Sequence, residues 1–271
     1  TPRGRKSLHG FYRNNKNGTF TDSTAGSGLD VEMYGIGVAV GDYDNDGRDD
    51  IYITALEGDR LYRNEGNFKF RDVTASSGIA NKGFPASAAF VDYDKDGRAD
   101  LFVANYVQWT AQGDVFCSLD GSAKSYCTPE SYKGMASKLY RNLGNGKFED
   151  VSAKAGVADP KSKSLGIAVV DYNNDSYPDL FIANDAMANQ LWLNQGGGRF
   201  RDDAPLRGCA LNAVGVPRAG MGVVAVDLLQ RGSLDLFVTH LVGEGNGLFL
   251  NEKGIFTDWL APEGPMAGSQ P

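Results

Sequence analysis

Five aspartates crowd the stretch DYDNDGRDDIYI, residues 42–53, within nine positions. Carboxylates held that close repel one another, and a positive ion among them explains the crowding. A hard dication fits the chemistry: calcium takes six to eight oxygen ligands at roughly 2.3–2.6 Å. Asp42, Asp44, Asp46 and Asp50 occupy positions one, three, five and nine of a calcium loop. The backbone carbonyl of Arg48 falls at position seven, and Gly47 at position six permits the sharp reversal. An EF-hand is excluded, because position twelve is Ile53 instead of a bidentate Glu, and Ile51–Thr54 read as a strand. Magnesium is disfavoured because it demands a tighter octahedron and keeps its waters. A solvated acidic turn held by local side-chain hydrogen bonds is the competing reading.

The turn recurs as DYDKDGRADLFV from Asp92, DYNNDSYPDLFI from Asp171 and DLLQRGSLDLFV from Asp227. The second copy offers Asp92, Asp94, Asp96, Asp100 and the Arg98 carbonyl; the third offers Asp171, Asn173, Asp175, Asp179 and the Tyr177 carbonyl. In the fourth, Leu229 and Arg231 replace positions three and five, leaving only Asp227 and Asp235. Three calcium sites are therefore expected and the fourth turn is expected to be metal-free, with Arg231 bridging one or both aspartates in place of an ion. A role in stability is expected for the ions, since every copy stands at the same place in its repeat.

Between the turns lies a second phrase: RLYRNEGNFKFRDVT, KLYRNLGNGKFEDVS, QLWLNQGGGRFRDDA and GLFLNEKGIFTDW. A fifth copy, GFYRNNKNGTFTD, opens at Gly10 with no acidic turn before it. Each complete unit reads as four short strands at a period near 50 residues, which is the sequence form of a β-propeller blade. The expected class is all-β, a partial propeller of about four and a half four-stranded antiparallel blades in one domain spanning 1–271. Blades are expected at 36–74, 86–152, 166–204 and 220–260, with a half blade of two outer strands at 10–24 that lacks an inner pair and leaves the ring incomplete. Small residues mark the first strands (Gly37, Ala39, Gly41; Ala86, Ala88; Gly166, Ala168; Gly220, Gly222), as inner strands crowding an axis require. Aromatics mark the later ones (Tyr62, Phe70; Tyr140, Phe148; Trp192, Phe200; Phe249, Phe256) and are expected between blades.

The step from Asp92 to Asp171 is 79 residues against 50 from Asp42 to Asp92, which places an insertion at 106–137 in the second full blade. It contains Cys117 and Cys127 with no histidine nearby, so a disulfide is expected rather than zinc. Cys209 reads as a small buried hydrophobe.

The D-x-D-x-D-G-x-x-D turn followed by the N-x-G-x-G-x-F-x-D phrase resembles the FG-GAP/VCBS repeats of integrin α-subunit propellers. More closely, the chain is similar to bacterial proteins related to cartilage acidic protein, which often carry an ASPIC/UnbV domain. The resemblance implies a calcium-binding propeller and says little about activity.

Three dications would bring the formal charge of -7 to -1, so acidity says little about partners. No basic stripe interleaved with aromatics points to nucleic acid, and no apolar run approaches the ~20 residues of a membrane span. The start, TPRGRKS, reads as a processed terminus or a fragment edge. Calcium together with a disulfide suggests a secreted, periplasmic or cell-surface setting. Opposite the acidic turns, a recognition face is expected to display Tyr34, Phe84, Asn105, Tyr106, Trp109, Asp185, Arg218 and His240. The histidines, His9 and His240, lie far apart and no nucleophile elbow is present. The leading expectation is a non-enzymatic module that recognises a protein or glycan. Its alternatives are the propeller part of a polysaccharide-active enzyme, with Asp185 and Glu244 as available carboxylates, and a structural fragment contacting neighbouring subunits of a surface or membrane-associated assembly.

Overall fold

The computed structural model describes residues 9–56 and 58–259. The TPRGRKS start and residue 260, the expected end of the last blade, lie outside the described residues. A two-stranded hairpin, β1 (Tyr12–Asn14) and β2 (Phe20–Asp22), comes first. Four antiparallel sheets follow, each strand paired with the next in sequence. The first holds β3 (Tyr34–Gly41), β4 (Asp50–Leu56), β5 (Arg60–Gly66) and β6 (Lys69–Asp72). The second holds β7 (Pro85–Val91), β8 (Asp100–Asn105), β9 (Lys138–Gly144) and β10 (Lys147–Asp150). The third holds β11 (Ser164–Val170), β12 (Asp179–Asn184), β13 (Gln190–Asn194) and β14 (Phe200–Asp202). The fourth holds β15 (Val223–Val226), β16 (Asp235–Val238), β17 (Gly247–Glu252) and β18 (Ile255–Asp258).

First strands of successive blades lie side by side, and small residues let them approach. A Cβ on Gly37 would stand 2.6 Å from the Ala86 carbonyl oxygen, and one on Gly166 would stand 2.7 Å from that of Met221. Second strands are pressed between two neighbouring blades, so both faces are covered and the usual alternation is lost. Every residue of β8 and β12 is buried. Tyr140 and Phe148 of the second blade join Ala39, Tyr43 and Tyr52 of the first in one cluster, and Phe249 and Phe256 of the fourth join Tyr172 and Phe181 of the third in another. Cys209 is fully buried in that latter core, where desolvation pushes its thiol up, out of reach of ordinary reactivity.

Three one-turn helices, α1 (Thr74–Ser77), α2 (Ser152–Ala155) and α3 (Ala204–Arg207), follow the fourth strands and are too short to show a helical period in sequence. Each stops at a left-handed glycine: Gly78, Gly156 or Gly208. A Cβ on Gly78 would lie 2.7 Å from the Phe148 carbonyl oxygen of the next blade, and one on Gly208 would lie 2.4 Å from that of Phe256, so the stop also sets the blade spacing.

The sheets form an open arc. Ile36, Val38 and Val40 on the first blade and Val224 and Val226 on the fourth are exposed, whereas Val170 and Ala168 of the third blade, at the register positions of Val226 and Val224, are buried. The β1–β2 hairpin seats Phe11 edge-on against Phe70, with ring centres 5.4 Å apart, in the place of outer strands of a preceding blade. With no inner strand pair beside them among the described residues, Tyr12 and Phe20 are exposed, whereas Tyr62 and Phe148 at the matching places in full blades are buried.

Candidate functional site

Each acidic turn connects the first and second strands of its blade, and positions one and nine fix its shape. Asp42 accepts the N–H groups of Asp46 (3.1 Å) and Gly47 (2.8 Å); Asp92 does the same for Asp96 and Gly97, each at 3.0 Å. Asp171 accepts Asp175 N–H at 3.1 Å and Ser176 N–H at 2.8 Å. The fully buried Asp50 accepts Tyr43 N–H at 3.1 Å and, across the sheet, Asn64 N–H at 2.7 Å. Asp100 and Asp179 repeat this with Asn142 (2.7 Å) and Asn194 (2.8 Å). Burial pushes Asp50 up to about 6 and Asp100 and Asp179 up to about 7, a shift that a dication in the turn opposes.

Position three behaves differently. Oδ1 of Asp44 and Oδ1 of Asp94 are buried without a hydrogen-bond partner, an arrangement that costs about 1–3 kcal/mol unless a cation satisfies it. Carboxylate oxygens of Asp42, Asp44 and Asp46, and those of Asp92, Asp94 and Asp100, lie within 4.8 Å of one another. The donor set, hard anionic oxygens at alternating positions, fits calcium. In the third turn Asn173 turns its amide onto Asp175, 2.8 Å away, and a three-carboxylate cluster of that kind does not form among the described residues.

Arginines brace the first two turns. Arg63 Nε stands 2.6 Å from Asp44 Oδ2 and its NH2 nitrogen 3.0 Å from Asp46 Oδ2; Arg141 lies 2.8 Å from Asp94 and 3.4 Å from Asp96. Arg48 and Arg98, whose carbonyls fill the expected position seven, also pair with Asp46 and Asp96 and donate to the Asn64 and Asn142 carbonyls at 2.8 and 2.9 Å. In the third blade the matching residues are Leu193 and Tyr177. Because these arginine pairs are about one-third exposed, each is worth ~1 kcal/mol or less. Arg63→Leu is expected to lower the melting temperature by about 2–4 °C in chelator. In millimolar calcium, where the ion takes over the neutralisation, the shift should be smaller, and equal shifts in paired melts would refute this exchange of roles.

The fourth turn keeps the two aspartates with backbone work. Asp227 accepts Arg231 and Gly232 N–H at 2.8 and 2.7 Å; Asp235 accepts Asn251 N–H at 2.8 Å. The Arg231 guanidinium lies 2.9 Å from Asp235 and 3.7 Å from Glu252, so its side chain bridges Asp235 and leaves Asp227 to the backbone.

Sequence reasoning missed the link between turns. Asn142, fully buried, donates to the Ala99 carbonyl of its own blade's turn (2.9 Å) and to the Tyr43 carbonyl of the preceding one (2.7 Å). Asn194 bridges Pro178 and Tyr93, and Asn251 bridges Leu234 and Tyr172, in the same way. Tyr43, Tyr93 and Tyr172 also pack on Phe148, Phe200 and Phe256 of the next blade, with ring centres 5.8, 5.8 and 6.1 Å apart. The recurring N of LYRN, WLN and FLN was the available signal.

At the opposite edge, the insertion between β8 and β9 is closed by a Cys117–Cys127 disulfide with a Cα separation of 5.2 Å. It borders a half-open cavity of about 660 Å³ lined by Phe84, Tyr106, Trp109, Tyr126 and Tyr132 together with Asp114 and Lys124. Phe84 meets Tyr106 and Trp109 edge-on at 5.6 and 6.0 Å. Asp114 pairs with Lys124 and accepts the Trp109 indole N–H (3.0 Å) and the Tyr132 hydroxyl (2.8 Å). Lys124 first, then Trp109 and Tyr132, hold its carboxyl down at about 2.

Of the eight residues expected on this face, Phe84, Tyr106 and Trp109 come together, and Asp185 joins them through the Tyr106 hydroxyl. The others need correction. Asn105 is fully buried, bonded to Asn81 and to the Ala136 carbonyl. Arg218 is pinned to Asp258 at 2.8 Å, and half-buried His240, pushed down to about 4 by burial and by Arg218, is neutral. Tyr34 is exposed on β3 and is absent from the cavity wall. Glu244 accepts Ala219 N–H at 2.8 Å. Tyr126, Tyr132, Asp114 and Lys124 were missed, though the aromatics of the SYCTPESY segment were visible.

Cartilage acidic protein 1 of Mus musculus is 31% identical over 146 residues, covering 48% of this chain and 22% of that protein. Its Homo sapiens counterpart is 30% identical over 146 residues, covering 48% and 21%. The chain thus spans about a fifth of these relatives' length. A solved lectin from Agrocybe aegerita, described as recognising non-reducing terminal N-acetylglucosamine, superposes with a TM-score of 0.50 at 18% identity, over 96% of this chain and 62% of the lectin. That likeness is one of fold. The model of the FG-GAP-like repeat matches four times, at residues 9–53, 46–103, 114–182 and 171–238, and the chain belongs to this repeat family.

Proposed function

We propose that this chain is an extracellular, calcium-stabilised propeller module that recognises a glycan or protein and has no catalysis of its own. One observation carries the reading: acidic turns and aromatic cavity stand on opposite edges of the same strands, so ions brace the scaffold from the side away from the ligand. Asp42, Asp44, Asp46 and Asp50 with the Arg48 carbonyl would hold the first ion. Asp92, Asp94, Asp96 and Asp100 with the Arg98 carbonyl would hold the second, and Asp171, Asn173, Asp175 and Asp179 with the Tyr177 carbonyl the third. The fourth turn, where Arg231 neutralises Asp235, takes none. The disulfide supports an oxidising compartment, and no helix among the described residues is long and apolar enough to cross a membrane. Similarity to a lectin supports a glycan ligand. Asp185 and Glu244 hold a hydroxyl and a backbone N–H, which speaks against an acid–base pair. Equilibrium dialysis with metal analysis should count three calcium ions per chain, and one after Asp44→Leu with Asp94→Leu, which puts at position three the residue type of the fourth turn. A chain that takes up no calcium would sink the calcium half of the proposal.

A further inference from the structure

The geometry points to a neutral saccharide as the occupant of the insertion cavity, a reading that rests on the recognition role and names its ligand class. The cavity's size, about 660 Å³, falls within the ~300–1,000 Å³ of small-molecule sites. A folded protein partner instead covers about 800 Å² of mostly flat surface on each side. A peptide bound by strand addition needs an unpaired strand edge, and β8 below the insertion is paired on both sides, with β7 and β9.

The wall matches an amphipathic ring. Trp109 is locked from two directions, by Phe84 packed edge-on and by Asp114 on its indole N–H, so the indole plane is preorganised. Tyr126 lines the cavity with 99% of its surface exposed, an aromatic ring that nothing in the chain covers. A pyranose presents an apolar C–H face to such rings and hydroxyls at its rim. In the cavity lining, Asp114 supplies an acceptor and Lys124 a donor side by side, as neighbouring sugar hydroxyls, each both donor and acceptor, require. Because the two charges cancel, a charged ligand gains no counter-ion there, which favours neutral sugars over acidic ones and over cationic peptides.

The test incubates the calcium-loaded chain with immobilised neutral and acidic oligosaccharides and, in parallel, with a peptide array. Each bound oligosaccharide is then titrated by calorimetry against wild type, Tyr126→Ala, Trp109→Ala and Asp114→Asn. Neutral oligosaccharides are expected to bind, and Tyr126→Ala to weaken them by about tenfold with no change in melting temperature, because that ring supports nothing else. Trp109→Ala and Asp114→Asn should weaken them as well. Sugar binding that survives both Tyr126→Ala and Trp109→Ala overturns the cavity as the site while leaving a recognition module intact. Capture of peptides with no sugar overturns the ligand class alone. A blank result on both arrays overturns the proposal and counts against the recognition reading itself.

Discussion

Chelation is expected to lower the melting temperature by about 15–30 °C relative to 10 mM calcium. Extracellular calcium modules bind with Kd near 10⁻⁴ M at their tighter end, so 10 mM is about a hundredfold excess. Each ion that binds only the folded chain then contributes about 2.7 kcal/mol, and three contribute about 8 kcal/mol. At roughly 2–4 °C per kcal/mol for a domain of this size, the stated range follows. The physical origin is local: Asp44 and Asp94 each keep a buried oxygen without a hydrogen-bond partner, and the carboxylates beside them repel. Paired calorimetric scans, with magnesium as control, provide the check. Equal melting temperatures with and without chelator would remove the stabilising role, and full rescue by magnesium would remove the selectivity argued from the ligand set.

Repetition made the blades legible. A period carried by whole phrases specifies strand order, the inner position of small residues and the between-blade position of aromatics, because identical units stack only one way. The acidic turns were legible as repeats for the same reason, yet their spacing blended two roles. Asp227 and Asp235 survive in the fourth turn because positions one and nine bond the backbone there too, while position three, replaced by Leu229, has its buried orphan oxygen in the first two turns. Spacing alone does not separate a carboxylate that shapes a turn from one that awaits an ion. The recognition face was read less well, since exposure at a strand end depends on what a neighbouring loop covers. Asn105 disappears beneath the return of the insertion through its bond to Ala136, and Arg218 is consumed by Asp258. The insertion has no internal repeat to compare, so the pairing of Asp114 with Trp109, Tyr132 and Lys124 emerges only in three dimensions.

Asn142→Ala is expected to cost about 3–5 kcal/mol, or about 10–15 °C in melting temperature, without touching a calcium ligand. The side chain is fully buried and uses both amide protons: its amide donates to the Tyr43 and Ala99 carbonyls, and its carbonyl accepts Gly144 N–H at 2.9 Å. Truncation strands those backbone groups where water does not reach easily, at about 1–3 kcal/mol for each. Asn64 offers an internal control. It makes the equivalent bonds to Asp49 and Gly66, at 2.8 and 2.9 Å, but the hairpin before it supplies no preceding turn to join. Asn64→Ala should therefore cost less, and the difference between the variants measures the bond between turns. A second readout separates that coupling from general loosening. Since Asn142 fixes Tyr43 in the first turn and Ala99 in the second, its loss should weaken calcium binding at those two turns and leave the third, tied through Asn194, unchanged. Equal costs for the two variants, or uniform weakening at all three turns, would show that the asparagines support their own blades and carry nothing from one turn to the next.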